Sequence, residues 1–503
     1  MYSMPYERLL LLLVFGSLVI GCSSVPADQV VTFALDVPPT NLDPRIGVDA
    51  SSERLSQLIF SYLVQRDESS SVIPDLAQSW KIPDPQTYIF HLRNDVFFHD
   101  GRHLTSKDVA YTFSSLFDQS FLTPRRGAFE LIEAIDTPDD YTVQFRLKEP
   151  FSPFLWNLVG MAIIPNGSGA DFADNPVGSG PFIFAHYRQD SEILLRANDN
   201  YFGAKPKIKA ARFKIVPEAV VRALELRKGT VDIALNVLPS DMINALSGDP
   251  SLEIMESEGT NYQYLAFNFN DPIFQDERIR HAIAHAIDRD AIIENIWLNQ
   301  VRAANSVLPP SNWAYFAETR AYDYDPERSM ELLEEAGYGN LSFTYRTSTD
   351  ETGRLIAEIL QQQFKEVGIT MQIRSNEFAT FFSDVIAGNF QMYSLRWIGG
   401  NNDPDIFNSI FHSAMIPSNG GRNRGYYSNK NVDRWIELAR REGDIDERKE
   451  YYELIQRQIG EDLPYISLWY LNNLCIYNRR IKDLTLSPSG DYKFLTTIRV
   501  VNE

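Results

Sequence analysis

Cysteine is almost missing from this chain: two of its 503 residues, Cys22 and Cys475. Cys22 falls in an N-terminal processing motif described below, so the mature chain keeps a single thiol. No intramolecular disulfide can form, and a zinc site built on cysteines is excluded by count. Basic residues are in deficit, 47 against 67 acidic ones, for a formal net charge of -20. Such a surface repels nucleic-acid phosphates and disfavours a polybasic grip on anionic lipid. Catalytic signatures are scarce. There is no His-Glu-x-x-His, no Walker-type loop and no Gly-x-Ser-x-Gly elbow. No period of about 20–50 residues repeats, which excludes solenoids and propellers.

Long hydrophobic runs are also lacking, with one short exception. Residues 9–20 read LLLLLVFGSLVI. A helix needs about 20 residues to span a bilayer, so this run is too short. It fits the apolar core of a signal peptide over residues 1–21. Val19-Ile20-Gly21-Cys22 follows, a lipobox-like string in which Cys22 becomes the acylated first residue. Anchoring would then rest on the lipid alone, which takes more than one acyl chain.

What remains is the composition of a globular protein, 44% hydrophobic and 23% charged. The length suggests about two or three domains. Strand-like and helix-like segments alternate throughout, the pattern of an α/β or α+β architecture. Tyr88, Phe90 and Leu92 alternate with polar positions and predict a strand over residues 87–93. Thr105 precedes a predicted helix with Asp108 in its first turn, and Leu104 and Val109 are spaced as a hydrophobic staple. Asp325-Pro326 and Gly337 bracket another helix. Leu355, Ile356, Ile359, Leu360, Phe364 and Val367 define a third, stopped at Gly368. Two apolar extended segments, residues 262–269 and 466–476, bracket some 200 residues; if paired, they suit a hinge between two lobes.

Aromatic residues reach 12%. Most belong in cores, and a few beside polar clusters suit a ligand cleft. The strongest such cluster is Arg396-Trp397-Ile398-Gly399-Gly400-Asn401-Asn402-Asp403-Pro404-Asp405. Its glycines let backbone amides approach a ligand, and its carboxamides and acids supply hydrogen bonds. His281 and His285 share a helix face at i and i+4, but no third metal ligand stands nearby in sequence. Gly178-Ser179-Gly180-Pro181 reads as a structural turn.

Several ordered motifs carry a resemblance. They are Leu76-Ala77-Gln78-Ser79-Trp80, Thr87-Tyr88-Ile89-Phe90, Leu92-Arg93-Asn94-Asp95-Val96-Phe97-Phe98-His99-Asp100-Gly101 and Leu104-Thr105-Ser106-Lys107-Asp108-Val109. Asn41-Leu42-Asp43-Pro44, Ala286-Ile287-Asp288-Arg289 and Asp403-Pro404-Asp405 support them. Together they resemble the bacterial family 5 extracellular solute-binding proteins. The resemblance implies a two-lobed clamshell of the type II periplasmic-binding-protein class, cluster C-like, with an extra α+β domain on the first lobe. By the same resemblance, a linker and first strand occupy 22–48, the extra domain 49–164, the first lobe 165–263, the second lobe 264–472 and a C-terminal return 473–503.

The resemblance also implies a binding protein and not an enzyme. It would act as a lipid-anchored monomer outside the cytoplasm that hands a solute, a peptide first, to the permease and ATPase subunits of an ABC importer. No cofactor and no nucleic acid are expected. An oligosaccharide or a metal chelate is the alternative ligand, and a cell-surface hydrolase a remote third reading. Trp397 matches the family's cleft tryptophan. The position matching its amine-binding acid is Gly400, which leaves Asp403 or Asp405 as substitutes. Asn401, Asn402 and Asp403 are expected as polar contacts, Arg346 as the partner of an anionic group, and Tyr264 as a cleft wall near the hinge.

Overall fold

The computed structural model describes residues 29–67, 71–119, 121–169, 171–397 and 403–501. The signal segment, Cys22, Gly400, Asn401 and Asn402 lie outside them.

Local chemistry produces the elements that the pattern predicts. The strand Thr87–Leu92 buries Tyr88, Phe90 and Leu92 and turns the alternate residues outward. The helix Ser106–Ser115 starts at Thr105, whose backbone N–H donates to Asp108 Oδ2 at 2.8 Å. Leu104 and Val109 are both buried at that end. Asp325 caps the helix Pro326–Glu335 by accepting from Arg328 N at 2.9 Å. The helix Glu351–Glu366 ends just before Gly368, whose φ of +83° relieves the chain of a β-carbon clash.

One eleven-stranded sheet runs through most of the molecule. Its main path is Ile369–Asn376, Leu341–Ser348, Met392–Trp397, Leu252–Phe267, Tyr465–Asn478, Ile233–Leu235, Val30–Leu35, Ala210–Ile215, Glu192–Ala197 and Phe182–Arg188. The two longest strands, Leu252–Phe267 and Tyr465–Asn478, pair antiparallel and lie side by side at its centre. They take in residues 262–267 of the first apolar segment and the whole of the second, 466–476. Their register breaks between Ser257 and Asn261, and there the sheet divides into two halves. Gly259 sits at the break. A β-carbon there would lie 2.0 Å from the Leu471 carbonyl oxygen, so only glycine lets the strands approach.

Each half is covered on both faces, which is why its strands read as near-continuous apolar runs. In the second half Leu265 and Phe267 pack into one core with Phe343, Tyr345, Leu360 and Met392. Tyr262, Tyr264 and Ala266, pointing the other way, join Tyr393, Phe407, Phe411 and Tyr452. In the first half Phe33 meets Phe213, Tyr492 and Cys475. Burial pushes the Cys475 thiol far above its ordinary value, which suits an inert packing residue.

A separate four-stranded antiparallel sheet orders as Ala77–Asp84, Thr87–Leu92, Thr142–Leu147, Ile132–Asp139 and holds its own core around Phe90, Phe113 and Phe145. The helix Ala50–Ile59, which the expected boundary at 49 assigns to this domain, packs Leu55, Leu58 and Ile59 into the first-half core instead. The Gly178–Pro181 string is a packing turn: a β-carbon on Gly178 would lie 1.9 Å from the Ile59 carbonyl oxygen, and Gly180 N donates to that same oxygen at 2.9 Å.

Candidate ligand-binding site

Strand direction places the site. In the second half Ile369–Asn376, Leu341–Ser348 and Met392–Trp397 run parallel, and Trp397 pairs with Tyr262 just before the register break. In the first half Val30–Leu35, Ala210–Ile215 and Ile233–Leu235 run parallel, and Leu235 pairs with Cys475 on the opposite side of the break. The carboxyl ends of both parallel sets therefore point at the crossover from opposite sides. Ligands of open α/β sheets bind beyond such ends, where strand order divides.

Side chains pin the crossover itself. Asn473 is buried; its Oδ1 accepts from Asn236 Nδ2 at 2.9 Å, and its Nδ2 donates to the Ser487 and Pro488 carbonyls at 3.0 Å each. On the other strand Arg302 pairs with Glu258 at 2.9 Å.

Trp397 ends its strand at this crossover, half-buried. The Arg422 and Arg424 guanidinium carbons each stand 5.6 Å from its ring centroid. Its Nε1 is buried and has no hydrogen-bond partner among the described residues. Beneath it Tyr264 stacks on Tyr465 at 4.2 Å and on Tyr262 at 5.6 Å, with Tyr393 edge-on at 6.1 Å. Tyr264 is fully enclosed by these rings, so it forms a floor of the aromatic layer and not the wall expected from its sequence position. Burial drives its phenol pKa well above the usual value, so it stays neutral.

The two acids expected to replace Gly400 are already engaged. Asp403 Oδ1 accepts from Arg448 at 2.7 Å, with both side chains nearly inaccessible at 7% and 4%. It also accepts from Asp405 N at 2.8 Å, opening the helix Ile406–Phe411. Asp403 thus anchors the start of the helix Ile406–Phe411 to Arg448, a structural job that differs from the ligand contact expected of it. Asp405 pairs with Arg440 at 2.9 Å. Burial raises its pKa to about 7, with Arg440 opposing and Asp403 adding to the rise. Arg346 is likewise occupied, by Asp384 at 2.7 Å. Folding thus brings Trp397, Asp403 and Tyr264 to one region but gives the charged candidates protein partners. His281 and His285 each hydrogen-bond a backbone carbonyl, of Glu461 at 2.8 Å and Asp323 at 2.9 Å. No group of metal-ligating side chains gathers among the described residues.

Arg422, Arg424, Tyr393 and Tyr465 do not stand out in the sequence. The only local signal is two arginines within Gly420-Gly421-Arg422-Asn423-Arg424-Gly425, far from Trp397 in the chain. An interior cavity lined by Tyr262, Arg289, Ser306 and Gln456 has a volume of about 30 Å³. It has room for a water or two and none for a peptide.

The four-stranded domain also reaches the second half. Ser152 N donates to the Arg440 carbonyl at 2.8 Å and Ser152 Oγ to that of Glu442. The Arg440 guanidinium lies 5.0 Å above the Phe151 ring. Arg440 thus links this contact to Asp405.

Two lobes joined by paired crossover strands, with a cleft at the facing strand ends, define a clamshell binding protein. The chain matches the model of bacterial extracellular solute-binding proteins, family 5 Middle, over residues 71–416, and it belongs to that family. It is 28% identical to the dipeptide-binding protein of Escherichia coli K12, over 94% of this chain and 95% of the relative. Its fold superposes on the oligopeptide-binding protein AppA of Bacillus subtilis, solved with a nonapeptide, at a TM-score of 0.79 and 26% identity, covering 94% and 99% of the two chains. It superposes equally on NikZ of Campylobacter jejuni, solved with Ni(L-His), at 0.80 and 26%, covering 93% and 98%. The architecture is that of the type II periplasmic binding proteins. No helix among the described residues is long and apolar enough to cross a membrane.

Proposed function

We propose that this chain captures a peptide between its two lobes and delivers it to the membrane subunits of an ABC importer. The observation that carries this reading is the convergence of both sets of strand ends on a crossover walled by Trp397. The E. coli dipeptide-binding relative and the nonapeptide-bound B. subtilis structure support the peptide as ligand class. Ligand favours the closed form because only closure brings both lobes into contact with it. Export through the signal segment and acylation of Cys22 would hold a monomer at the outer face of a membrane. On this reading the protein carries solute and catalyses nothing.

Native mass spectrometry of the soluble chain, purified without unfolding, tests the proposal. Bound masses matching a mixed set of short peptides support it. A single non-peptide mass overturns the peptide assignment. The Ni(L-His) complex of the C. jejuni neighbour makes a metal chelate the second reading, and a nickel–histidine titration with no heat signal removes it.

A further inference from the structure

The chain carries twenty more acidic charges than basic ones, yet two arginines beside Trp397 meet no carboxylate among the described residues. Arg422 and Arg424 flank Asn423, which is buried, with its Nδ2 donating to the Tyr427 carbonyl at 2.7 Å and its Oδ1 accepting from Tyr427 N at 3.0 Å. Gly425 and Gly421 sit where a β-carbon would come within 2.6 Å of the Phe267 carbonyl oxygen and 1.9 Å of that of Met415. The segment is therefore fixed by its inward-facing residues. The two arginines on either side of Asn423 both lean on one indole, and Arg424 also stands 5.1 Å over the Phe382 ring.

Two cations side by side repel each other. Burial, and then the like charge of Arg424, lower the pKa of Arg422. Beside them the Trp397 Nε1 is buried without a hydrogen-bond partner among the described residues, and the phenols of Tyr264, Tyr393 and Tyr465 lie near Arg424. Acids that would neutralise the pair are committed elsewhere: Asp403 to Arg448, Asp405 to Arg440, Asp384 to Arg346. Residues 398–402, Ile-Gly-Gly-Asn-Asn, contribute no acid. The site is rich in positive charge and hydrogen-bond donors, it is held rigid, and it lies where both lobes direct their strand ends.

We propose that Arg422 and Arg424 receive a carboxylate of the ligand over the face of Trp397, and hence that the captured peptide presents an acidic group to the second lobe. This rests on the peptide reading above. An Asp or Glu side chain and the peptide's own C-terminus offer the same chemistry. A guanidinium pair grips either through charge-assisted hydrogen bonds, and no protein carboxylate has to be displaced.

Calorimetry with four tripeptides separates the sources: Ala-Glu-Ala and Ala-Gln-Ala, each with a free or an amidated C-terminus. Neutralising the carboxylate that docks is expected to weaken binding about tenfold or more. If the Glu-to-Gln change does this, the side chain is the anchor; if amidation does, the terminus is. The double variant R422Q/R424Q is expected to lose the preference while its melting temperature holds or rises, because a mutually repelling pair is removed. Citrate serves as a non-peptide control. Equal affinity for all four peptides overturns the anion inference and leaves peptide capture standing. Citrate binding that the double variant abolishes, with no peptide bound, upholds the anion site and overturns the peptide reading. No binding of any of these probes at millimolar concentration overturns the inference.

Discussion

Replacing Arg448 by methionine should unfasten Asp403 at the head of the helix Ile406–Phe411, and the size of the effect follows from what the guanidinium holds in place. Arg448 is 4% exposed. It donates to Asp403 Oδ1 at 2.7 Å and to the Ala439 carbonyl at 2.9 Å, and its guanidinium stands 5.4 Å over the Trp313 ring. Methionine fills much of the volume but leaves Asp403 buried with a single remaining donor among the described residues, the Asp405 N–H. Breaking one side of a buried ion pair costs about 3–5 kcal/mol, because the surviving charge is stranded. Urea denaturation should register that loss at pH 8. Adding Asp403→Asn removes the stranded charge, so the double variant should be more stable than R448M alone. A deficit below about 1 kcal/mol would refute this account of the pair.

Trp397→Ala should weaken ligand binding by about 1–4 kcal/mol, read by calorimetry, if the indole is an anchor; unchanged affinity rejects that role. Asp405 has its pKa raised from 3.8 to about 7, mainly by burial. Between those values the folded chain holds a proton that the unfolded chain releases, so this group makes stability fall as pH rises from about 4 to about 7 and adds nothing further above that. Asp405→Asn should flatten that segment of the stability–pH curve measured by thermal melts, and an unchanged slope contradicts the assignment. Ser152→Ala removes one bond between the four-stranded domain and the second lobe, a loss of about 1 kcal/mol. It should raise the ligand-free radius of gyration in small-angle scattering, and an identical scattering curve would show that the contact does not hold the lobes together.

Much of the architecture is legible in the chain because it is local. Period-two alternation at residues 87–93, the Thr105 and Asp325 caps and the Gly368 stop each depend on neighbours within a few positions, and each lies where the pattern puts it. The two apolar segments are visible as strand formers too. Their pairing is not, since it joins residues some 200 positions apart and is set by register and close approach at Gly259. Site residues divide the same way. Trp397 stands out by its setting among glycines, amides and acids. The fate of its charged neighbours depends on partners elsewhere in the chain: Arg448 for Asp403, Arg440 for Asp405, Asp384 for Arg346. Arg422 and Arg424 carry no signal of their own in sequence, because an arginine becomes informative only when folding brings it to a place without a carboxylate. The sequence by itself determined many of the elements, the family and the indole of the candidate site. Tertiary structure alone decided which charges meet a protein partner and which do not among the described residues, because Coulomb pairing is a matter of distance in space and not along the chain.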